Sequence, residues 1–325
     1  MACSCSCGNQ EERILVLGAG ELGMAVIDAL VVANRRLHVP FAQVTITAVV
    51  RGGNADRDGE LSARGVKVEK CDMANASDAV IVEMFKKYDT IISCTGMYMK
   101  PGFQLRIAQL ALAVGVDRFF PWQYGLDYDA IGTGSQQDLF DEQLEVRALL
   151  RRSPACAPTD WCIVSTGVFT SFLFEAGFGP VDCEKRVLRA LGSWDTPITT
   201  TTARDIGRMV AMIACDQVHV GCEIVYLAGD TLTYRQLADL VEAKVGGHWT
   251  RELWDQEFLR KKLEADPDNS MIKYQNVFAK GVGISWDVTK TLNFEMEEDF
   301  EDVEMYLTRV LAAMERNDSN SPVPT

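Results

Sequence analysis

The chain has 325 residues, with 32 basic against 46 acidic side chains and a formal charge of −14 at pH 7. Hydrophobic residues at 47% and charged residues at 24% exclude an intrinsically disordered chain. The acidic surplus excludes a nucleic-acid groove, which needs clustered Lys and Arg, and the length suits about two domains or one large α/β unit with an added lobe.

Residues 1–11 read as a disordered tail. They include Cys3-Ser-Cys5-Ser-Cys7, but no Cys or His pair follows at zinc spacing, so no metal site is expected. Among the 10 cysteines, Cys94 and Cys162 sit in apolar runs and read as small buried thiols, not as parts of a disulfide framework. No apolar signal region follows Met1, and no apolar stretch reaches the ~18 residues of a membrane span. The expectation is a soluble protein of the reducing cytoplasm with neither nucleic acid nor membrane as partner, acting as a monomer or homodimer.

From residue 12 to 165 short apolar runs alternate with helical patterns, the signature of a parallel α/β sheet. Arg13–Leu17 is the first strand, followed by a helical stripe of Leu22, Val26, Ala29, Leu30 and Ala33. Val44–Val50, Val66–Glu69 and Thr90–Cys94 are three more strands. An apolar helix over Phe103–Val114 ends at Gly115, a C-terminal cap. Arg118–Pro121 is the fifth strand, Ser135-x-x-Asp138 is read as opening a helix through Phe140, Leu144 and Leu150, and Trp161–Val164 is the sixth strand.

The first strand runs into Gly18-Ala-Gly20-Glu-Leu-Gly23, and a helix starts at once. Gly18 permits the tight turn, Gly20 lets a pyrophosphate approach the backbone, and Gly23 lets helix and strand pack closely. Glu21 and Leu22 open the helix whose free N–H groups favour an anion. No acid stands at the end of the second strand, where an NAD site holds the ribose 2′-hydroxyl. Arg51 stands there instead, suited to a 2′-phosphate, so NADP(H) is expected over NAD. Asp72 contacts the adenine edge or caps the following helix, and Ser93, Cys94, Thr95 and Gly96 lie along the cofactor. The fold class is a Rossmann-type, doubly wound α/β domain over 12–165.

Residues 166–315 read as a smaller substrate lobe with interleaved elements. Thr202-x-x-Asp205 and Thr233-x-x-Gln236 each cap an amphipathic helix. Seven acids fall within 295–304, so half the charge imbalance is one local feature, read as a solvated approach to the last helix. That helix carries Val303, Leu307, Val310, Leu311 and Met314, and 316–325 is expected to be disordered. Trp122, Tyr124, Phe169, Phe172 and Trp194 cluster around the loops after the fifth and sixth strands and suit a flat, apolar ligand.

The set Gly18–Gly23, Val49-Val50-Arg51, Asp117-Arg-Phe-Phe-Pro121, Tyr124-Gly125 and Ser165-Thr-Gly-Val-Phe169 resembles the NmrA-like and isoflavone-reductase-like branch of atypical short-chain dehydrogenases. Leu191-Gly-Ser-Trp194 and Asp205-Ile-Gly207 fit its fungal members. The resemblance runs from about residue 12 to 290 and implies NADP(H) and reductase activity on aromatic or heterocyclic metabolites. The family's reductases carry a catalytic lysine in a Phe-x-x-Lys-x-x-Val-Arg setting. Here the segment reads Phe140-Asp-Glu-Gln143-Leu-Glu-Val146-Arg147, so Gln143 stands in the lysine's place.

An amide can hydrogen-bond a substrate oxygen but cannot act as general acid or base. Tyr124 and Tyr128 are the leading proton-donor candidates, with Asp127, Asp129, Tyr98 and Lys100 on neighbouring loops. Three readings follow. The first is an NADPH-dependent reductase of a ring-containing secondary metabolite, with Gln143 orienting the substrate. The second is an isomerase or cyclase that keeps the cofactor without net redox, motivated by the missing lysine. The third is an NADP(H)-sensing regulator.

Overall fold

The computed structural model describes residues 11–36, 44–97, 99–153 and 158–319. The Cys3, Cys5 and Cys7 run lies outside the described residues, as do Tyr98 and 320–325. The elements run β1 (Glu12–Leu17), α1 (Glu21–Arg36), β2 (Val44–Val50), α2 (Ala55–Ala63), β3 (Lys67–Lys70), α3 (Asp78–Phe85), β4 (Thr90–Ser93), α4 (Phe103–Val114), β5 (Arg118–Phe120), α5 (Tyr128–Ile131), α6 (Asp138–Arg151) and β6 (Asp160–Ser165). They continue with β7 (Val168–Phe169), β8 (Val181–Asp182), β9 (Val187–Leu191), β10 (Pro197–Thr201), α7 (Ala203–Ala214), β11 (Glu223–Tyr226), β12 (Asp230–Thr233) and α8 (Tyr234–Val245). Last come β13 (Thr250–Trp254), α9 (Gln256–Ala265), α10 (Ser270–Lys280), α11 (Leu292–Glu295) and α12 (Val303–Ser319).

The chain divides into two compact units, and the division is not a single cut at 165. Unit 1 comprises 1–123, 142–164 and 206–225, and unit 2 comprises 124–141, 165–205 and 226–325.

Unit 1 is built on a seven-stranded sheet in the order β11-β6-β5-β4-β1-β2-β3. β1 pairs in parallel with β2 on one side and β4 on the other, so the strand order reverses at β1/β4. Burial on both faces explains the apolar runs: Ile14, Leu15, Val16, Ile91 and Ile92 are all 0% exposed. Ile81, Phe85, Ile107, Ala111, Val146 and Leu150 from α3, α4 and α6 join Leu15, Ile91 and Phe119 in one core. α4 covers the expected residues and ends at Gly115, whose φ of +71° is the left-handed cap.

The start of α6 differs from the reading of Ser135 as its cap. The helix begins at Asp138, and the Gln137 side-chain oxygen accepts from the Leu139 N–H at 3.3 Å. Ser135 acts one step earlier, its Oγ accepting from the Gln137 N–H at 3.3 Å. The left-handed φ of +76° at Gln136 interrupts any helix opened at Ser135.

Unit 2 contains two three-stranded sheets, β12-β10-β7 and β13-β9-β8. The Thr202 hydroxyl caps α7 by accepting from the Asp205 N–H at 3.2 Å, and Thr233 with Gln236 forms a complete capping box on α8. The acidic stretch is more than a solvated approach. Glu301 pairs with Arg309 through two contacts of 2.7 and 2.9 Å, and Asp302 accepts from the Met305 N–H at 2.7 Å in the first turn of α12. The helix runs on to Ser319, so 316–319 are helical rather than part of a disordered tail.

Candidate active site

β1 ends at Leu17 and the chain turns at Gly18, whose φ is +94°. A Cβ there would meet Thr95 Oγ1 at 2.2 Å, and the Gly18 N–H donates to the Val49 carbonyl at 3.0 Å. At Gly23 a Cβ would stand 2.1 Å from the Gly18 carbonyl oxygen. Gly18 and Gly23 therefore serve the turn's own packing. Gly20 is different: it is exposed, and an added Cβ would meet nothing within 4 Å. The open space lies at the N-terminus of α1, where Glu21 is exposed, Leu22 is buried and free N–H groups favour an anion.

The carboxyl ends of the neighbouring strands supply the rest of this edge. The Cys94 N–H and Thr95 Oγ1 each donate to the Leu17 carbonyl at 2.9 Å, stitching the end of β4 to the glycine turn. Ser93 is 0% exposed, and its Oγ has no hydrogen-bond partner among the described residues. Burial around the sulfur pushes the Cys94 thiol up, which keeps it protonated.

Arg51 follows β2 and is exposed, and among the described residues no carboxylate pairs with it. Asp72 lies beyond β3, accepting from Asn75 Nδ2 at 2.7 Å. It shapes the turn there and does not cap α3, which follows Ser77. At the next strand end the Trp122 indole lies on Gly96 so closely that a Cβ would fall 1.8 Å from the ring. The turn residues, Arg51, Asp72, Ser93–Gly96 and Trp122 thus share one sheet edge around the β1/β4 reversal, where ligands bind in open parallel sheets.

Gln143 joins this edge through side chains. The i, i+3, i+7, i+10 spacing on α6 puts Phe140, Gln143, Arg147 and Leu150 on one buried face, each no more than 1% exposed. Gln123, directly after Trp122, is also 0% exposed. Its Nε2 donates at 2.8 Å to both the main-chain carbonyl and Oε1 of Gln143, and its Oε1 accepts from Arg147 Nε at 2.9 Å. Glu142 points elsewhere, accepting from the Gln104 and Leu105 N–H groups at 2.7 and 3.1 Å and so closing the N-terminus of α4. Sequence reasoning missed Gln123 and Arg147. The available signal was a charged residue on an apolar helical stripe, four positions after Gln143.

Apart from Lys100, which lies in unit 1, the remaining candidates belong to unit 2. Tyr124 and Tyr128 are buried, at 6% and 4% exposed. The Tyr128 hydroxyl lies against Gly125, and its ring meets Phe140 at 5.1 Å. Phe172 continues the same aromatic run, 6.3 Å from Tyr274 and stacked at 4.7 Å on Phe178. Phe169 on β7 is partly exposed, and Trp194 lies under Arg251 at 5.7 Å. Asp127 caps α5 by accepting from the Ala130 N–H at 3.2 Å, while Asp129 and Lys100 are exposed.

Comparison with known proteins bears on this arrangement. The model of the family described as "NmrA-like family" matches residues 10–307. An NmrA-like family domain-containing oxidoreductase of Gibberella moniliformis is 45% identical over 288 residues, 87% of this chain and 92% of that protein. Among solved structures, an isoflavone reductase superposes with a TM-score of 0.73 at 20% identity, covering 93% of this chain and 100% of that one. A leucoanthocyanidin reductase–NADPH complex from Vitis vinifera gives 0.72 at 18% identity, over 92% and 99%. The match spans the glycine turn, the parallel sheet and the segments of the second unit together, and by it the chain belongs to the NmrA-like family.

Proposed function

We propose that the protein reduces an aromatic or heterocyclic small molecule with hydride from NADPH. The chain is an NADP(H)-dependent oxidoreductase on this reading. The observation that carries it is the pairing of an open Gly20 at the N-terminus of α1 with an exposed Arg51, one strand away, that pairs with no carboxylate among the described residues. The 45% identical oxidoreductase and the neighbour solved with NADPH support it. When bound, NADPH supplies a hydride to an electrophilic carbon of a C=O, C=N or C=C group.

The chain's own residues would do the following. N–H groups of Gly18–Gly23, including those of Glu21 and Leu22, would hold the pyrophosphate. Arg51 would pair with the 2′-phosphate and Asp72 would meet the adenine edge. Ser93, Cys94, Thr95, Gly96 and Gln143 would line the nicotinamide end. Trp122, Tyr124, Phe169, Phe172 and Trp194 would receive the rings of the substrate. Gln143 would orient it, and because an amide carries no ionisable proton, Tyr124, Tyr128 or water would supply the proton.

Stoichiometric NADPH oxidation with a panel of aromatic ketones, quinones and conjugated imines is the test. We expect one NADPH consumed per product formed. Product without NADPH oxidation would instead establish the isomerase or cyclase reading, which the amide at 143 motivates. Gln143→Lys gives a second expectation. The wild type should show no limb in its pH–rate profile assignable to position 143. The variant should gain one, because a buried lysine titrates below its usual value. Identical profiles would remove Gln143 from the reacting end.

A further inference from the structure

Arg147, Gln123 and Gln143 form a hydrogen-bonded line within unit 1, each 0% exposed. Chemistry fixes its polarity. A guanidinium only donates, so the Gln123 atom 2.9 Å from Arg147 Nε is the amide oxygen. A main-chain carbonyl only accepts, so the Gln123 atom 2.8 Å from the Gln143 carbonyl is Nε2. The same Nε2 also reaches the Gln143 side-chain oxygen at 2.8 Å, which occupies its second N–H bond. Gln143 is left with Oε1 committed to Gln123, while its Nε2 is buried and without a hydrogen-bond partner among the described residues. A buried amide donor is costly to leave unpaired, so this one marks a place that a ligand completes.

We infer that Arg147 and Gln123 are positioning residues that hold Gln143 as an obligate hydrogen-bond donor toward a carbonyl oxygen of the bound ligand. The oxygen belongs either to the carboxamide of the nicotinamide or to the substrate, and this choice of ligand rests on the NADP(H) reading above. A donor fixed in this way stabilises negative charge growing on the oxygen without transferring a proton to it. It also selects against a group that can only donate, such as an ammonium, because two donors cannot pair.

The test inverts the polarity. In Gln123→Glu the new carboxylate accepts from Arg147, loses the bond to the Gln143 main-chain carbonyl, and can only accept from the Gln143 side chain, so Gln143 must turn its NH2 inward and its oxygen toward the ligand. Adding Gln143→Lys to that variant restores a donor, since an ammonium donates both to the carboxylate and outward. Three affinities are measured by calorimetry in each protein: NADP+, 2′,5′-ADP, which lacks the nicotinamide, and menadione added to the NADP+-loaded protein. We expect 2′,5′-ADP to bind all three proteins within about twofold. In Gln123→Glu either NADP+ (the carboxamide as source) or menadione (the substrate as source) should bind about 10-fold more weakly, and the double variant should recover most of the loss.

If Gln123→Glu weakens neither, or the double variant recovers nothing, the inference is overturned. If 2′,5′-ADP fails to bind the wild type, the NADP(H) reading falls first and takes the choice of ligand with it. Should Gln123→Glu alone lose 2′,5′-ADP, as a misfolded protein would, Gln123→Met is measured in its place. That variant frees the Gln143 amide to point either way, and a threefold weakening is expected on the same ligand (on the order of that remaining for an unbiased amide). An unchanged affinity overturns the inference.

Discussion

Gly23→Ala is expected to abolish dinucleotide binding, and Gly20→Ala to weaken it in a protein that folds as well as the wild type. At Gly23 the added methyl would stand 2.1 Å from the Gly18 carbonyl oxygen. That neighbour is backbone, held by the Gly18 N–H bond to Val49, so α1 must move away from the turn. Overpacking of this kind costs about 1–3 kcal/mol. The displaced N–H groups would each forfeit a charge-assisted bond of about 1.5–3 kcal/mol to the pyrophosphate, so a loss of roughly 100-fold or more follows. At Gly20 the methyl meets nothing within 4 Å, so it occupies only the space left for the ligand. Its melting temperature should equal or slightly exceed the wild type's, because Gly→Ala at a compatible site stabilises by about 0.4–1 kcal/mol. NADP+ affinity should still fall by about 10-fold. Thermal unfolding and calorimetric titration of both variants separate the two effects, and a Gly20→Ala protein binding NADP+ normally would contradict the assigned approach.

Arg51→Ala is expected to lower NADP+ affinity by about 10- to 100-fold and to leave NAD+ affinity unchanged. A hydrogen-bonded guanidinium–phosphate pair contributes about 1.5–3 kcal/mol, and each 1.4 kcal/mol is tenfold. Because Arg51 is exposed, solvent and salt screen the pair, which favours the lower end of that range and makes the difference shrink as ionic strength rises. Titrations of wild type and variant at two salt concentrations check the claim. Equal losses for NADP+ and NAD+ would show that Arg51 acts on something other than the 2′-phosphate.

Legibility of the sequence followed burial. Strands buried on both faces announce themselves as apolar runs, so β1, β2, β4, β5 and β6 stand within a residue or so of where the runs place them. Gly115 and the Thr233–Gln236 box are local signals that need no tertiary information. The strands after 165 carried no such signal. β7 and β8 have two residues each, and Pro197–Thr201 is mostly threonine, so pairing partners rather than composition make them strands. Ser135 failed as a cap because the left-handed Gln136 places a turn between it and α6.

At the candidate site the glycine turn and Arg51 were readable because both depend on chain geometry next to a strand. The line from Arg147 through Gln123 to Gln143 was not, since it joins residues 24 positions apart at its longest span. Gln143 itself was visible in sequence; its hydrogen bond from buried Gln123, and the bond from Arg147 to Gln123, were not.

Calorimetric titration of the wild-type protein with NADP+ and with NAD+, at physiological ionic strength, tests the NADP(H) assignment most directly. The fold, the open Gly20 and the exposed Arg51 predict one site per chain that binds NADP+ at least about 10-fold more tightly than NAD+. Binding of neither dinucleotide, or a preference for NAD+, would contradict it.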